Sequence, residues 1–312
     1  MAGKNQDVLT VGHILYDVRC YVDKFPQPDK SSVIEGPIHS SGGGSAANVA
    51  INLSMLGRKC GIVCNVGTDR HGAFLHSELK KFGIDLNGVQ MCKGKSGMSI
   101  VLVDKNAEVE IIESLGVSDN YAKVGRDYVS QFKHLHVTGM NLRTTKDAIT
   151  SAYKAGLSIS YDSGRFMSGG GEREIGGILS KIDQLMINRK ELATLVGKKP
   201  YTNESGVVQD AKRIAKKYGL DFCVKGGKGR TIVARADGSH FAMTPYKVRV
   251  IDTIGAGDAF AAGFIDSFLE GRKIEECARF ASACSAEEII RPGAHSGLDK
   301  KLILRKYRPY GR

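Results

Sequence analysis

The chain has 312 residues, 42% of them hydrophobic and 25% charged, which suits one large α/β domain of ordinary globular composition. No apolar run approaches the length of a membrane span and the first residues lack the apolar core of a signal peptide, so cytoplasmic residence is the expected default. Seven scattered cysteines without a C-x-x-C pair give no pattern for zinc or a redox centre; the net charge of +12 is spread along the chain, which weighs against a nucleic-acid partner and suits anionic small molecules.

Residues 7–12 read as a buried strand ending in glycine, and Asp17 follows after a short turn. Residues 18–25 and 31–39 are extended and separated by Pro26, Pro28 and Asp29, as in a hairpin or two edge strands. Ser41-Gly42-Gly43-Gly44-Ser45-Ala46-Ala47-Asn48 comes next. Its glycines let backbone approach a ligand, and its small residues open a helix that runs to Leu56-Gly57. A strand over 61–66 closes at Gly67. Residues 96–104 and 108–113 alternate apolar and polar around Lys105-Asn106, the pattern of a second hairpin.

Strand–helix alternation then resumes: a strand over 134–138, a helix over 144–155 and a strand over 157–162. The last ends in Asp162-Ser163-Gly164-Arg165, the kind of strand end at which open α/β sheets bind ligands. Arg165 suits a phosphate or carboxylate there as well as it suits a surface ion pair. A strand over 184–187 leads into Asn188-Arg189-Lys190-Glu191, a helix start. Another over 221–224 leads into the turn Lys225-Gly226-Gly227-Lys228-Gly229, and 230–234 with 240–244 form an antiparallel pair.

Val250-Ile251-Asp252-Thr253-Ile254-Gly255-Ala256-Gly257-Asp258-Ala259-Phe260 organises the rest. A Gly-Ala-Gly turn leaves backbone amides open, and the positive end of the helix that follows, over 259–269, makes them an anion site. Asp258 stands beside that anion, where it can take a proton from a hydroxyl. The helix end is expected to hold its pKa low. Residues 274–289 form a long helix, Arg291-Pro292-Gly293-Ala294-His295 follows, and 300–308 is the densest basic run.

Asp252-Thr253-x-Gly255-Ala256-Gly257-Asp258-Ala259-Phe260 with Ala262-Gly263-Phe264 resembles the C-terminal motif of the ribokinase-like (PfkB) carbohydrate kinases. Gly43-Gly44-x-Ala46-Ala47-Asn48-x-Ala50, with Gly57 and Gly67, is similar to their N-terminal motif. Gly12-His13-x-x-x-Asp17, Asp23-Lys24-Phe25-Pro26 and Asp162-x-Gly164 look like the archaeal-type nucleoside kinases of that family. The resemblance implies a mainly parallel, doubly wound α/β sheet flanked by helices, with a small β-sheet lid from about 18–39 and 99–113, as a single domain over 1–312. In some members the lid also makes a homodimer.

The implied activity is transfer of the γ-phosphate of ATP, with Mg²⁺, to a sugar hydroxyl. Asp258 would be the base, and the Gly255, Ala256 and Gly257 amides would face the transferring phosphoryl group. Asp17, Gly43, Gly44, Asn48 and Arg165 would bind the acceptor. Asn188, Lys225, Gly227, Gly229, Ser282 and His295 would bind the nucleotide. Glu191 would organise Mg²⁺, through water. Some relatives hold a monovalent cation such as K⁺ near Asp252, the Ile254 carbonyl and the Gly293-Ala294 turn. Where the family has Gly-Ala-Asn after the lid strands, this chain has Leu115-Gly116-Val117-Ser118-Asp119-Asn120.

The acceptor reading leans to the 5′-hydroxyl of a nucleoside. The alternative is a free sugar such as ribose or fructose, a sugar acid, or a sugar phosphate whose anion Arg143 or Arg165 would hold. Readings from other classes are a non-catalytic nucleotide or sugar sensor and an RNA-associated basic protein.

Overall fold

The computed structural model describes residues 4–164, 170–295 and 297–307, so Arg165 lies outside the described residues. The elements run β1 (Gln6–Gly12), β2 (Leu15–Tyr21), β3 (His39–Gly43), α1 (Ser45–Met55), β4 (Cys60–Gly67), α2 (Arg70–Lys81), β5 (Val89–Cys92), β6 (Met98–Val103) and β7 (Val109–Ser114). They continue with α3 (Arg126–Val129), β8 (Phe132–Thr138), α4 (Leu142–Lys154), β9 (Ser158–Asp162), α5 (Gly171–Leu179), β10 (Gln184–Asn188), α6 (Arg189–Leu195) and α7 (Glu204–Tyr218). The last are β11 (Asp221–Lys225), β12 (Thr231–Ala234), β13 (His240–Met243), α8 (Ala256–Leu269), α9 (Ile274–Glu288) and α10 (Lys300–Lys306).

Among the described residues the large sheet has the order β13-β12-β11-β10-β9-β8-β1-β4-β5, parallel from β11 through β5, with β12 and β13 antiparallel at one edge. Inner strands β4, β10 and β11 are mainly apolar because both faces are covered. One core joins residues of α1, α2, α8 and α9 to the sheet, the other those of α4, α5, α6 and α7. Gly263 lets α8 and α9 approach closely: a Cβ there would lie 2.6 Å from the Cys284 Sγ. In the basic tail Lys300 bonds Asp266 and Glu270, and Lys306 bonds Glu287.

A second, four-stranded sheet has the order β3-β2-β6-β7. The hairpin around Lys105-Asn106 forms as the alternation predicts, with Val103 opposite Val109. The expected strand over 31–39 does not. Between β2 and β3 the chain makes only isolated bridges, Val22 to Ile34 and Gln27 to Lys30. Pro26, Pro28 and Pro37 lack the amide a ladder needs, and Gly36 has φ +83°. The strand lies further on, through the glycines ahead of α1: Gly42 and Gly43 pair with Tyr16 and Leu15. The Leu115-to-Asn120 departure is a short 3₁₀ turn whose Asp119 carboxylate meets the His13 Nε2 at 3.0 Å.

Candidate active site

The carboxyl ends of β8, β9, β10 and β11 open into a cavity of about 390 Å³. The inner face of the small sheet closes its other side with Leu15, Asp17, Ser99, Val101, Val109, Ile111 and Glu113. The N-terminal turns of α1 and α8 enter it as well, through Gly44, Ser45 and Asn48 and through Gly255, Gly257 and Asp258. Two glycine-rich stretches some two hundred residues apart therefore meet at one space.

At the lid end Asp17, Ser99 and Glu113 are cross-strand neighbours in one row. The Ser99 hydroxyl donates to Asp17 Oδ1 at 2.6 Å. Burial pushes the Asp17 carboxyl up to about 6, against the Ser99 bond and with the help of the Glu113 charge. Gly43 makes the arrangement fit, because any Cβ on it would overlap the Asp17 carboxylate. Gly43 thus faces Asp17 rather than lining the cavity, and the neighbouring Gly44 does line it.

Asp258 lines the same cavity from the first turn of α8. Asn48, on α1, donates its Nδ2 to Asp258 Oδ2 at 2.7 Å, and the Ser45 hydroxyl bonds the same carboxylate. Burial pushes Asp258 up to about 6; the Asn48 bond works against this, the Asp162 charge adds to it, and Lys225 opposes it. This corrects the expectation of a low pKa: the loss of water outweighs the helix end. The turn ahead of α8 needs glycine for two reasons. Gly255 has φ +72°, and a Cβ there would lie 2.6 Å from the Ala294 backbone. Ala256 begins the helix without lining the cavity.

Lys225, at the end of β11, places its ammonium against the Asp162 carboxylate at the end of β9, and a Cβ on Gly257 would lie 3.3 Å from its Nζ. Burial disfavours that ammonium's charge, but Asp162, Glu191 and Asp258 together raise its pKa. Asn188 and Glu191 form a capping box on α6: the Asn188 Oδ1 accepts from the Glu191 amide at 2.9 Å, and the Glu191 Oε2 from the Asn188 amide at 2.7 Å. The same two residues line the cavity, so the cap and the site are one structure. Burial, then the Asp162 charge, pushes Glu191 up to about 7.

No group of three or more His, Cys, Asp or Glu side chains among the described residues encloses a metal. Glu191 spends one oxygen on its cap, and Asp162 accepts from Lys225 at Oδ2 and from the Gly164 amide at Oδ1. Such a donor set fits Mg²⁺ that keeps much of its water and arrives with a nucleotide.

Other expected residues lie outside the cavity. Gly227 and Gly229 shape the turn after β11, where Gly229 packs on the Arg189 guanidinium. Ser282 is buried within α9. The His295 ring lies near that of Phe82, 5.7 Å between centroids, with its Nε2 3.9 Å from Glu78 Oε1. Asp252 is fully buried and hydrogen-bonded to backbone. Arg143 lies over the Tyr121 ring, and is exposed. Sequence reading passed over Ser45, Ser99, Glu113 and the Asp162–Lys225 pair. Polar residues on the inward face of a lid strand were the available sign for Ser99 and Glu113.

The pfkB family carbohydrate kinase model matches residues 5–301. The chain is 34% identical over 292 residues to an ATP-dependent ribose-1-phosphate kinase of Halopiger xanaduensis, covering 93% of this chain and 94% of that one. It is 26% identical over 307 residues to a nucleoside kinase of Methanothermobacter thermautotrophicus, covering 95% and 93%. Among solved structures, ribokinase of Arabidopsis thaliana complexed with ribose and ATP has a TM-score of 0.83 at 22% identity, covering 97% of this chain and 99% of that one. Nucleoside kinase of Methanocaldococcus jannaschii has a TM-score of 0.76 at 19% identity, covering 98% and 99%. The fold is therefore ribokinase-like, a large mostly parallel sheet with a smaller sheet as lid.

Proposed function

The chain belongs to the pfkB family of carbohydrate kinases, phosphotransferases with a hydroxyl acceptor, and on that premise we propose that it transfers the γ-phosphate of ATP to the 5-hydroxyl of a ribofuranose, with a nucleoside as acceptor. The observation that carries this reading is the pair of carboxylates lining one cavity, Asp17 on the lid row and Asp258 at the head of α8. Vicinal ribose hydroxyls donate to Asp17, with Ser99 and the Gly44 backbone beside them. The primary hydroxyl then reaches Asp258, whose orientation Asn48 fixes.

Asp258 takes the hydroxyl proton while the oxygen bonds the γ-phosphorus, the bond from that phosphorus to the bridging oxygen breaks, and ADP leaves. The amides at Gly255–Gly257 face the transferring group. Lys225 adds positive charge at the phosphates, and its three carboxylate neighbours keep it protonated. Mg²⁺ bound with ATP would be held by Glu191 and Asp162 through water and would neutralise phosphate charge. The small sheet acts as lid of a single kinase domain and excludes water that would compete as acceptor.

A neutral acceptor suits a lining that carries Asp17, Glu113, Asp162, Glu191 and Asp258, with Lys225 already paired. A second reading, ribose 1-phosphate, is favoured by the name of the 34% identical relative. It shares the 5-hydroxyl and differs in the anion at C1, for which Arg165, next in sequence to the cavity residue Gly164, is the proposed partner. Comparing kcat/KM for nucleosides, ribose and ribose 1-phosphate separates the two. Arg165→Ala should raise KM for ribose 1-phosphate far more than for a nucleoside. Turnover of hexoses or sugar acids alone would refute the ribofuranose assignment.

A further inference from the structure

Asp252 stands three residues ahead of Gly255 and is fully buried. Its Oδ1 accepts from the Ile254 amide at 2.8 Å; its Oδ2 accepts from the Gly293 amide at 3.2 Å and the Tyr21 hydroxyl at 3.4 Å. The cation beside it is Arg19, whose Nε lies 3.9 Å from Oδ2 on a side chain only 11% exposed. That guanidinium also fills the space against Gly293, where a Cβ would lie 3.2 Å from its Nη1. Arg19 and Tyr21 both come from β2, and the Thr253 hydroxyl donates to the Ala107 carbonyl in the turn between β6 and β7. Three lid contacts thus converge on residues 252 and 253, just before the anion turn.

This is where the family resemblance put a monovalent cation, and the donors present do not suit one. Both carboxylate oxygens already accept hydrogen bonds, and an ion beside them would face a guanidinium. We propose that Arg19 is the built-in counter-charge of Asp252, delivered by the lid strand, so that phosphoryl transfer by this chain needs no K⁺ or other monovalent cation. Arg19 is a positioning residue here. Without it a buried carboxylate is left uncompensated next to the turn that must receive phosphoryl charge. His295 reports the same field: burial, then the Arg19 charge, pushes its pKa down to about 4.

The inference rests on the kinase reading but not on the acceptor's identity. Turnover of the full chain with Mg-ATP is measured with tetramethylammonium as the only monovalent cation, then with KCl at matched ionic strength. Wild-type kcat should stay within about twofold. Arg19→Ala should lose about tenfold or more of kcat while its acceptor KM moves by less than about threefold, and Arg19→Lys should restore most of the loss. Thermal unfolding of the wild type should give the same Tm in both salts, because no ion binds selectively to the folded state. Activation of the wild type by about tenfold or more in K⁺, a Tm rise confined to K⁺, or full kcat in Arg19→Ala would each overturn the proposal. A protein silent in every salt would fault the kinase reading instead and leave the Tm comparison to decide the cation question.

Discussion

Replacing Asn48 by Ala removes the donor that holds the Asp258 carboxylate at 2.7 Å. The bond favours the ionised form, so its loss must raise a pKa that burial has already pushed to about 6. A hydrogen bond to a charged group contributes about 1.5–3 kcal/mol, and water entering the cavity will replace part of it. The net is roughly one pH unit upward, to about 7. With the proton-accepting form required, the ratio of variant to wild-type kcat/KM should change with pH. The variant should lose about eightfold at pH 5.5, about threefold at pH 6.5 and nothing by pH 8.5, beyond any constant factor from lost acceptor contacts. The assay is ADP release at saturating Mg-ATP and low acceptor, with circular dichroism to confirm folding at each pH. A ratio that stays flat across pH would refute the idea that Asn48 sets the ionisation of Asp258.

Asp258→Asn should stabilise the protein while inactivating it. A carboxyl lifted from 3.8 to about 6 opposes folding above the higher value by at most about 3 kcal/mol, and this cost fades as pH falls toward 3.8. The variant's Tm should therefore be higher by roughly 2–6 °C at pH 8 and equal near pH 4; a lower Tm at pH 8 would contradict the burial argument. Gly255→Ala should cost about 3 kcal/mol or more, left-handed strain plus the clash with Ala294, whereas Gly271→Ala, at φ +75° in open space, should cost only the strain, about 1–2 kcal/mol. Equal losses in chemical denaturation would dismiss the clash. Glu191 loses its charge as pH falls through about 7, so the Mg²⁺ needed for half-maximal activity should rise between pH 8 and pH 6. Glu191→Gln should need more Mg²⁺ at pH 8 and show no such pH dependence; an unchanged Mg²⁺ titration would remove Glu191 from the metal's water shell.

Local chemistry was legible in the sequence wherever it is written in consecutive residues. The helix start at Asn188–Glu191 and the Lys105-Asn106 hairpin each depend on neighbours a few positions apart, and each forms; the helix expected from 259 begins earlier, at Ala256, with only Gly255 left outside it. Partnerships across strands were not legible. Asp162 and Lys225 are 63 residues apart and meet only because β9 and β11 flank β10 in one sheet. Gly43 was visible as a glycine, but its reason, the Asp17 carboxylate against it, depends on β2–β3 register. The strand misplaced over 31–39 shows extended composition losing to prolines that have no amide to offer. The neighbours of His295, Phe82 and Glu78, are a matter of how the segment after α9 lies on α2. The direction of the Asp258 pKa depended on burial, which no sequence window reports.

In the proposed reaction Asp258 accepts the proton of a ribofuranose hydroxyl as the γ-phosphate of ATP moves to it. Its most direct test is steady-state turnover of wild type and Asp258→Asn at pH 7.5, with Mg-ATP and the best acceptor among nucleosides, ribose and ribose 1-phosphate. The wild type should show a clear rate on a ribofuranose, and the variant a fall of about 10²–10⁴ in kcat with ATP binding intact. Near-normal turnover by Asp258→Asn on any acceptor would contradict it.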